Sequence, residues 1–231
     1  VLAAICATFV VIHNESLKRW VLTYVDKASS HVCYVVQDIE IRNQNSSEYC
    51  IDLTNEGILK DYYGQSLFTV SLQNLAAEVG GIDCVDTVQV RKVFPSGIQV
   101  MVSYQEPIAI WLDKREFRFV TRDGNLMRIL SDKGLNKFVL IIGSDAPSHV
   151  PALIKFLSQS SELYSKIERA VWIGGRRWDV IFQDGCRVML PEDQPELAWN
   201  KFVNLQRDHP DFAPGKYKTI DLRVAGKIYA S

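Results

Sequence analysis

Residues 88–111, VQVRKVFPSGIQVMVSYQEPIAIW, constrain the fold more than any other stretch of the chain. Val88 and Val90 before the turn, and Ile98, Val100 and Val102 after it, recur at period two. That spacing gives each of two strands one apolar face. Pro95, Ser96 and Gly97 supply the tight connection of a hairpin. Glu106 followed by Pro107 ends it, because proline has no amide to give a ladder and restricts the residue before it. A second apolar run, IAIW, starts at once, so the hairpin closes one unit and another begins.

Upstream, YVVQDIEIRNQ alternates imperfectly and suits a strand. Leu53, Gly57, Ile58 and Tyr62 have helical spacing, and Gly64 stands where a C-terminal glycine ends a helix. A second helix is predicted from Ser71, as N-cap, through the stripe Leu72, Leu75, Ala76 and Val79 to Gly80 and Gly81. The order strand, helix, helix, strand, strand over about 70 residues lets two helices cover one face of a sheet.

Downstream the chain is rich in strands. IAIWL, EFRFVT and LMRIL surround the turn Asp123, Gly124, Asn125, and KFVLIIG is an apolar strand. Val150, Leu153, Ile154, Leu157 and Tyr164 mark a helix. Trp178, Val180 and Phe182 begin a second hairpin that turns at Asp184 and Gly185. A helix through Leu197, Ala198, Phe202 and Leu205 follows, and YKTIDLRVAGKIYA closes the chain as a strand or hairpin. The expected class is α+β, with a mostly antiparallel sheet flanked by helices in the second unit. No internal repeat or low-complexity tract interrupts it.

The first twelve residues, VLAAICATFVVI, carry no charge. They are shorter than the ~20 residues of a bilayer span. With no initiator Met before them, they read as the end of a clipped transmembrane helix; the alternatives are a buried core helix or the apolar region of a signal peptide, which would need a small-residue cleavage site that is not evident. A juxtamembrane helix carrying Leu17, Trp20, Val21, Tyr24 and Val25 continues the run to about residue 30. A net charge of -1, from 26 basic and 27 acidic residues, gives no electrostatic ground for a nucleic-acid partner. The five cysteines have neither zinc-site spacing nor the density of a disulfide-stapled domain. They read mostly as unpaired thiols, with Cys33 and Cys50 as a candidate bridge in an oxidising compartment.

Catalytic and cofactor signatures are missing. His13, His31, His149 and His209 lie in no metal-binding spacing, and no glycine pattern suits a phosphate. Ser144, Asp145 and His149 in GSDAPSH fit a turn and N-cap better than a triad. Glu192 and Asp193 beside Pro191 fit a solvated loop. No catalytic, cofactor or metal residue is assigned, and no enzyme is expected.

Two places invite a partner. Arg176 and Arg177 precede Trp178, either as a charged strand end stacked on an aromatic or as a hold on an acidic partner residue. In the last segment Asp221, Arg223, Lys227 and Tyr229 alternate with Ile220, Leu222, Val224 and Ile228, too polar for mid-sheet yet apolar enough to be anchored. Such an edge offers unpaired backbone groups to another chain, unless its charges serve to protect it.

Val90, Arg91, Phe94-Pro95, the strand after the turn, Glu106-Pro107 and Ile108-Ala109-Ile110-Trp111, in that order, resemble the POTRA signature of the FtsQ/DivIB family of bacterial cell-division proteins. The downstream DGNL, GGRRWDVIFQDGCRVMLP and TIDLR are similar to that family's β-domain in order and spacing. The resemblance covers residues 35–231 and implies a transmembrane and juxtamembrane segment at 1–30, a POTRA domain at 34–106 and a β-domain at 107–231. It further implies a single-span inner-membrane protein with its C-terminal part in the periplasm at the septum. Such a protein is a non-catalytic divisome scaffold that docks FtsB and FtsL, meets other divisome proteins and helps control septal wall synthesis. The resemblance places partner contacts at Arg176, Arg177, Thr219, Asp221, Arg223, Val224, Lys227 and Tyr229, without a cofactor. Val224 stands where the family often has an aromatic, so backbone pairing transfers better than side-chain contacts. The rival expectations are a POTRA-bearing component of outer-membrane assembly or secretion, which needs POTRA repeats or a barrel, and a periplasmic enzyme, which needs a pocket of perturbed ionisable groups.

Overall fold

The structure is a computed structural model that describes residues 19–21, 23–24, 34–45, 48–50, 53, 57–130, 134–209, 212–224 and 226–231. It divides into two compact units, Val1–Tyr104 and Gln105–Ser231. No helix among the described residues is long and apolar enough to cross a membrane. The apolar run at 1–12, and with it the expected span, lies outside the described residues, as does Cys33.

The first unit holds a three-stranded sheet of β1 (Asp38–Asn43), β2 (Val85–Val93) and β3 (Gly97–Tyr104), in the order β1-β3-β2. The period-two hairpin pairs Val88 with Val102 and Val90 with Val100. β1 lies parallel to β3, with Ile39 beside Ile98 and Ile41 beside Val100. Ile98, Val100 and Val102 are buried with Leu59, Tyr62, Leu67, Leu75 and Val79, which come from the layer above the sheet. In that layer α1 (Leu72–Gly80) is capped by Ser71, whose hydroxyl accepts the Asn74 amide at 3.3 Å. The expected helix through 53–64 is instead a 3-10 helix over Gly57–Tyr62. Its buried residues, Leu59 and Tyr62, are three apart, so three residues per turn aligns both with the core.

The cysteine expectation is corrected here. Cys50 is joined to Cys84, with Cα atoms 5.5 Å apart, and Cys84 directly precedes β2. The bridge ties the loop after β1 to the hairpin, a long-range closeness that chain spacing does not reveal. Cys186 is a free, buried thiol whose pKa is raised by burial, leaving it an inert core residue.

The second unit is one nine-stranded sheet under helices. Its strands are β4 (Pro107–Asp113), β5 (Glu116–Thr121), β6 (Leu126–Arg128), β7 (Val139–Ile142), β8 (Ile167–Ile173), β9 (Arg177–Phe182), β10 (Arg187–Met189), β11 (Thr219–Asp221) and β12 (Tyr229–Ala230). They lie in the order β12-β11-β10-β9-β8-β7-β4-β5-β6. Neighbours are mostly antiparallel, but β4 and β7, β7 and β8, and β10 and β11 run parallel. Parallel neighbours require crossovers. The crossover from β7 to β8 carries α2 (Val150–Leu157), and that from β10 to β11 carries α3 (Pro195–Asp208). Pro107 sits at the first position of β4, where a missing amide is tolerated.

The helices pack on one face of this sheet. Trp199 and Phe202 of α3 are fully buried; the Trp199 ring stacks on Phe182 with centroids 6.4 Å apart and lies tilted 5.5 Å from that of Phe202. The helix expected across 150–164 breaks after Leu157 and resumes as a short turn at Ser161–Tyr164. His149 precedes α2 and stacks on Trp172 at 4.5 Å, a packing role.

Candidate partner-binding edge

β9, β10, β11 and β12 form the last four places in the sheet, and their side chains alternate between its two faces. Trp178, Val180 and Phe182 of β9 enter the helix-side core. On the opposite face Asp179, Met189, Asp221 and Tyr229 stand opposite one another in successive strands. Arg187 reaches across to Asp179, its Nε donating to Oδ2 at 2.8 Å and its Nη2 to the same oxygen. The Asp179 side chain is fully buried, whereas that of Arg187 is 47% exposed. The other carboxylate oxygen faces Arg177 Nε at 3.7 Å, too far for a hydrogen bond, and neither atom has a hydrogen-bond partner.

Asp221 and Arg223 form a clasp. Arg223 donates from Nε to Oδ1 at 2.9 Å, from Nη2 to Oδ2 at 2.7 Å and from its backbone amide to Oδ1 at 2.9 Å. These bonds hold the Asp221 carboxyl below its ordinary 3.8 against the opposing effect of burial, and the nearby Arg177 charge assists. Because the folded pKa is lowered, the clasp stabilises the fold fully above about 3.8 and is lost only as pH falls through the lowered value. At neutral pH the Arg223 guanidinium is therefore held by its own chain and presented in one orientation.

The edge itself differs from the expectation. β11, which carries Thr219 and Asp221, is an inner strand, parallel to β10 on one side and antiparallel to β12 on the other. Thr219 and Ser231 exchange both backbone bonds, at 3.1 and 3.0 Å, and Lys218 also donates to the Ser231 carbonyl at 2.8 Å. The chain's own return has taken the margin that these residues were expected to offer. In an antiparallel ladder bonded and non-bonded pairs alternate. Ala230, opposite Ile220 and next to the bonded pair, therefore turns its amide and carbonyl away from β11. The open margin is β12, and Tyr229 on it is 52% exposed.

Arg223, Val224 and Lys227 lie in the turn joining β11 to β12, where the Lys227 amide donates to the Val224 carbonyl at 3.1 Å. Val224 is exposed. Arg177 joins the Asp179 and Asp221 cluster, but Arg176 does not. Arg176 sits after the left-handed pair Gly174 and Gly175 and lies 3.6 Å from Glu192 in an exposed ion pair.

A groove of about 410 Å³ adjoins the edge, between the loop before α3 and the β11–β12 turn. Leu197, Ala198 and Lys201 line one wall, and Leu222, Val224 and Ile228 the other. Leu197, one of the apolar positions that mark this helix in the sequence, is 53% exposed and faces this groove. Of the expected positions Phe202 is buried and Ala198 packs against the core, and Trp199 joins Phe202 as the second buried residue of α3. Among the described residues no cluster of His, Cys, Asp or Glu is arranged to hold a metal.

The arrangement is that of an α+β protein whose last sheet ends in a short, open strand beside a groove of mixed lining, with Glu192, Asp193, Lys201 and Lys227 among the apolar side chains. Residues 109–223 match the family model described as "Cell division protein FtsQ/DivIB, C-terminal", and that stretch, nearly all of the second unit, belongs to the family. Curated relatives carry the name cell division protein FtsQ. That of Rhizobium meliloti is 26% identical over 92% of this chain and 68% of its own length. That of Zymomonas mobilis is 29% identical over 62% of this chain and 45% of its own length. That of Cereibacter sphaeroides is 28% identical over 69% of this chain and 52% of its own length. The chain thus spans about half to two thirds of these relatives. A solved structure of the major extracytoplasmic domain of DivIB from Geobacillus stearothermophilus aligns with 46% of this chain and 95% of its own at 12% identity and a TM-score of 0.35.

Proposed function

We propose that the chain is a non-catalytic scaffold of the bacterial divisome that docks FtsB, with FtsL, by adding a strand to β12, and so helps regulate septal wall synthesis. The observation that carries this reading is the outward-turned Ala230 backbone on a terminal strand with no further neighbour in the sheet order. A partner strand laid there gains main-chain hydrogen bonds, and the adjoining groove can take its side chains. Arg177 and Arg223 stand at the same end of the sheet, each facing a carboxylate of its own chain.

The first unit is read as a POTRA domain at 34–106 that meets other divisome proteins, and the second as the β-domain at 107–231. The chain is read as a single-pass inner-membrane protein with both units in the periplasm. The uncharged run at 1–12 supports an anchor, and the Cys50–Cys84 bridge fits an oxidising compartment.

The test is capture of FtsB by the full chain in solubilised membranes. Removing residues 229–231 should abolish most of it, because the deletion removes the strand that receives the partner. Ala230→Pro, which removes one outward amide, should weaken it. Undiminished capture by both variants, with the second unit still folded, would contradict strand addition.

A further inference from the structure

Phe68 and Phe94 are among the exposed large apolar residues of the first unit, at 50% and 58%. With Tyr34 they form a cluster whose ring centroids are 5.4, 6.2 and 6.0 Å apart. Backbone bonds bring the three contributing segments together. The Leu67 amide donates to the Tyr34 carbonyl, Val36 to Gln65, and Gln37 to Ser96, each at 2.8 Å. Exposed Val93 adjoins Phe94 in sequence. The cluster lies at the turn end of the β2–β3 hairpin, not along an edge strand, so it is not placed to take an added strand.

Its charge sets it apart from the unit that carries it. Residues 34–104 hold nine carboxylates (Asp38, Glu40, Glu48, Asp52, Glu56, Asp61, Glu78, Asp83, Asp86) and four cations (Arg42, Lys60, Arg91, Lys92), a net of -5. The segments 34–37, 65–69 and 92–96 contain no carboxylate, and their one charge is Lys92. Two carboxylate residues border the cluster, Asp38, whose amide donates to the Ser96 carbonyl at 3.3 Å, and Asp61, whose carbonyl accepts from the Gln65 side chain at 2.7 Å; Lys60 adjoins Asp61.

The place where the chain enters the unit is also informative. Tyr34 is ten residues beyond Tyr24, which stacks with Trp20 at 5.8 Å, both exposed. Ten residues reach at most ~36 Å. Exposed Trp and Tyr following an apolar run are the side chains of a membrane interface. A second exposed aromatic group on so short a tether stays within reach of the same surface.

We infer that Tyr34, Phe68 and Phe94 form a membrane-facing platform that seats the first unit on the headgroup region of the bilayer. The inference rests on the reading that the chain is membrane-anchored. An acidic unit is repelled by anionic lipid. An aromatic end whose own three segments carry no carboxylate lets it approach in one orientation, with the rings in the interface and most of the acidic surface turned away.

The test uses the full chain in vesicles of phosphatidylethanolamine and phosphatidylglycerol doped with a gadolinium-chelate lipid. A trifluoromethyl-phenylalanine replaces Phe94 in one sample and Asp86 in another. Position 86 is exposed on β2, seven residues from Val93 and so about 23 Å away at ~3.3 Å per residue. The fluorine signal at 94 should be lost while that at 86 persists, and Phe68→Ser should restore part of the signal at 94. Equal broadening at both positions overturns the inference. So does a signal at 94 that changes only when other division proteins are added, which would make the cluster a protein contact. FtsB capture on the same vesicles separates the two readings: capture with no selective loss at 94 sinks only the platform, and selective loss without capture sinks only the docking. A chain that does not float with the vesicles overturns the anchored reading and the platform with it.

Discussion

Arg187→Ala is expected to destabilise the second unit by about 3–5 kcal/mol, the usual cost of stranding one partner of a buried ion pair. The two halves of this pair are not equivalent. Asp179 is completely enclosed and Arg187 is half in solvent. Removing Arg187 leaves a buried carboxylate that Arg177 faces from 3.7 Å without a hydrogen bond and that Arg223 reaches only through space. Removing Asp179 instead frees Arg187 to turn into water, so Asp179→Ala should cost less, and the double variant should recover part of the Arg187→Ala loss. Urea unfolding followed by tryptophan fluorescence reads this unit well, because Trp111, Trp172, Trp178 and Trp199 all lie in it. The same pair braces β9 against β10, next to the strand on which the partner edge is built. Partner capture should therefore fall with Arg187→Ala more than with Asp179→Ala.

Breaking the Cys50–Cys84 bridge should weaken the first unit and spare the second. The bridge closes a loop spanning 34 residues. Chain-entropy arguments give about 3–4 kcal/mol for a loop of that size. Cys50→Ser with Cys84→Ser should speed amide exchange at Val100 and Val102, which sit in the buried centre of β3. Fluorescence unfolding of the second unit should not move. A loss shared equally by both units would show that they unfold as one.

What was legible in the sequence was what local periodicity encodes. The β2–β3 hairpin follows from alternating valines, and α1 follows from Ser71 and a stripe with the right spacing. Pairing between distant strands was not legible. Nothing local says that β1 runs parallel to β3 or that β10 runs parallel to β11, because those registers are set by crossovers and a shared core. The Cys50–Cys84 bridge escaped for the same reason. In the 57–62 stretch the spacing of buried residues is compatible with either helix type, and packing chose the tighter one.

The candidate edge was legible in part. The mixed polar and apolar pattern of the last segment marked it as peripheral, and Tyr229 does lie on the outermost strand. The sequence leaves the last segment as a strand or a hairpin, and the structure takes the hairpin, folding 229–231 back onto Thr219 through a turn with Gly226 at positive φ. Leu197 marks α3 without marking its core face, because apolar character alone does not separate a core position from a groove wall.

The most direct measurement is hydrogen exchange at the Ala230 amide in the full chain, free and with the FtsB–FtsL complex bound. Ala230 should exchange rapidly in the free chain and become strongly protected in the complex, as its outward amide enters a new ladder. An Ala230 amide that exchanges as fast in the complex as in the free chain, while binding is saturated, would contradict strand addition at β12.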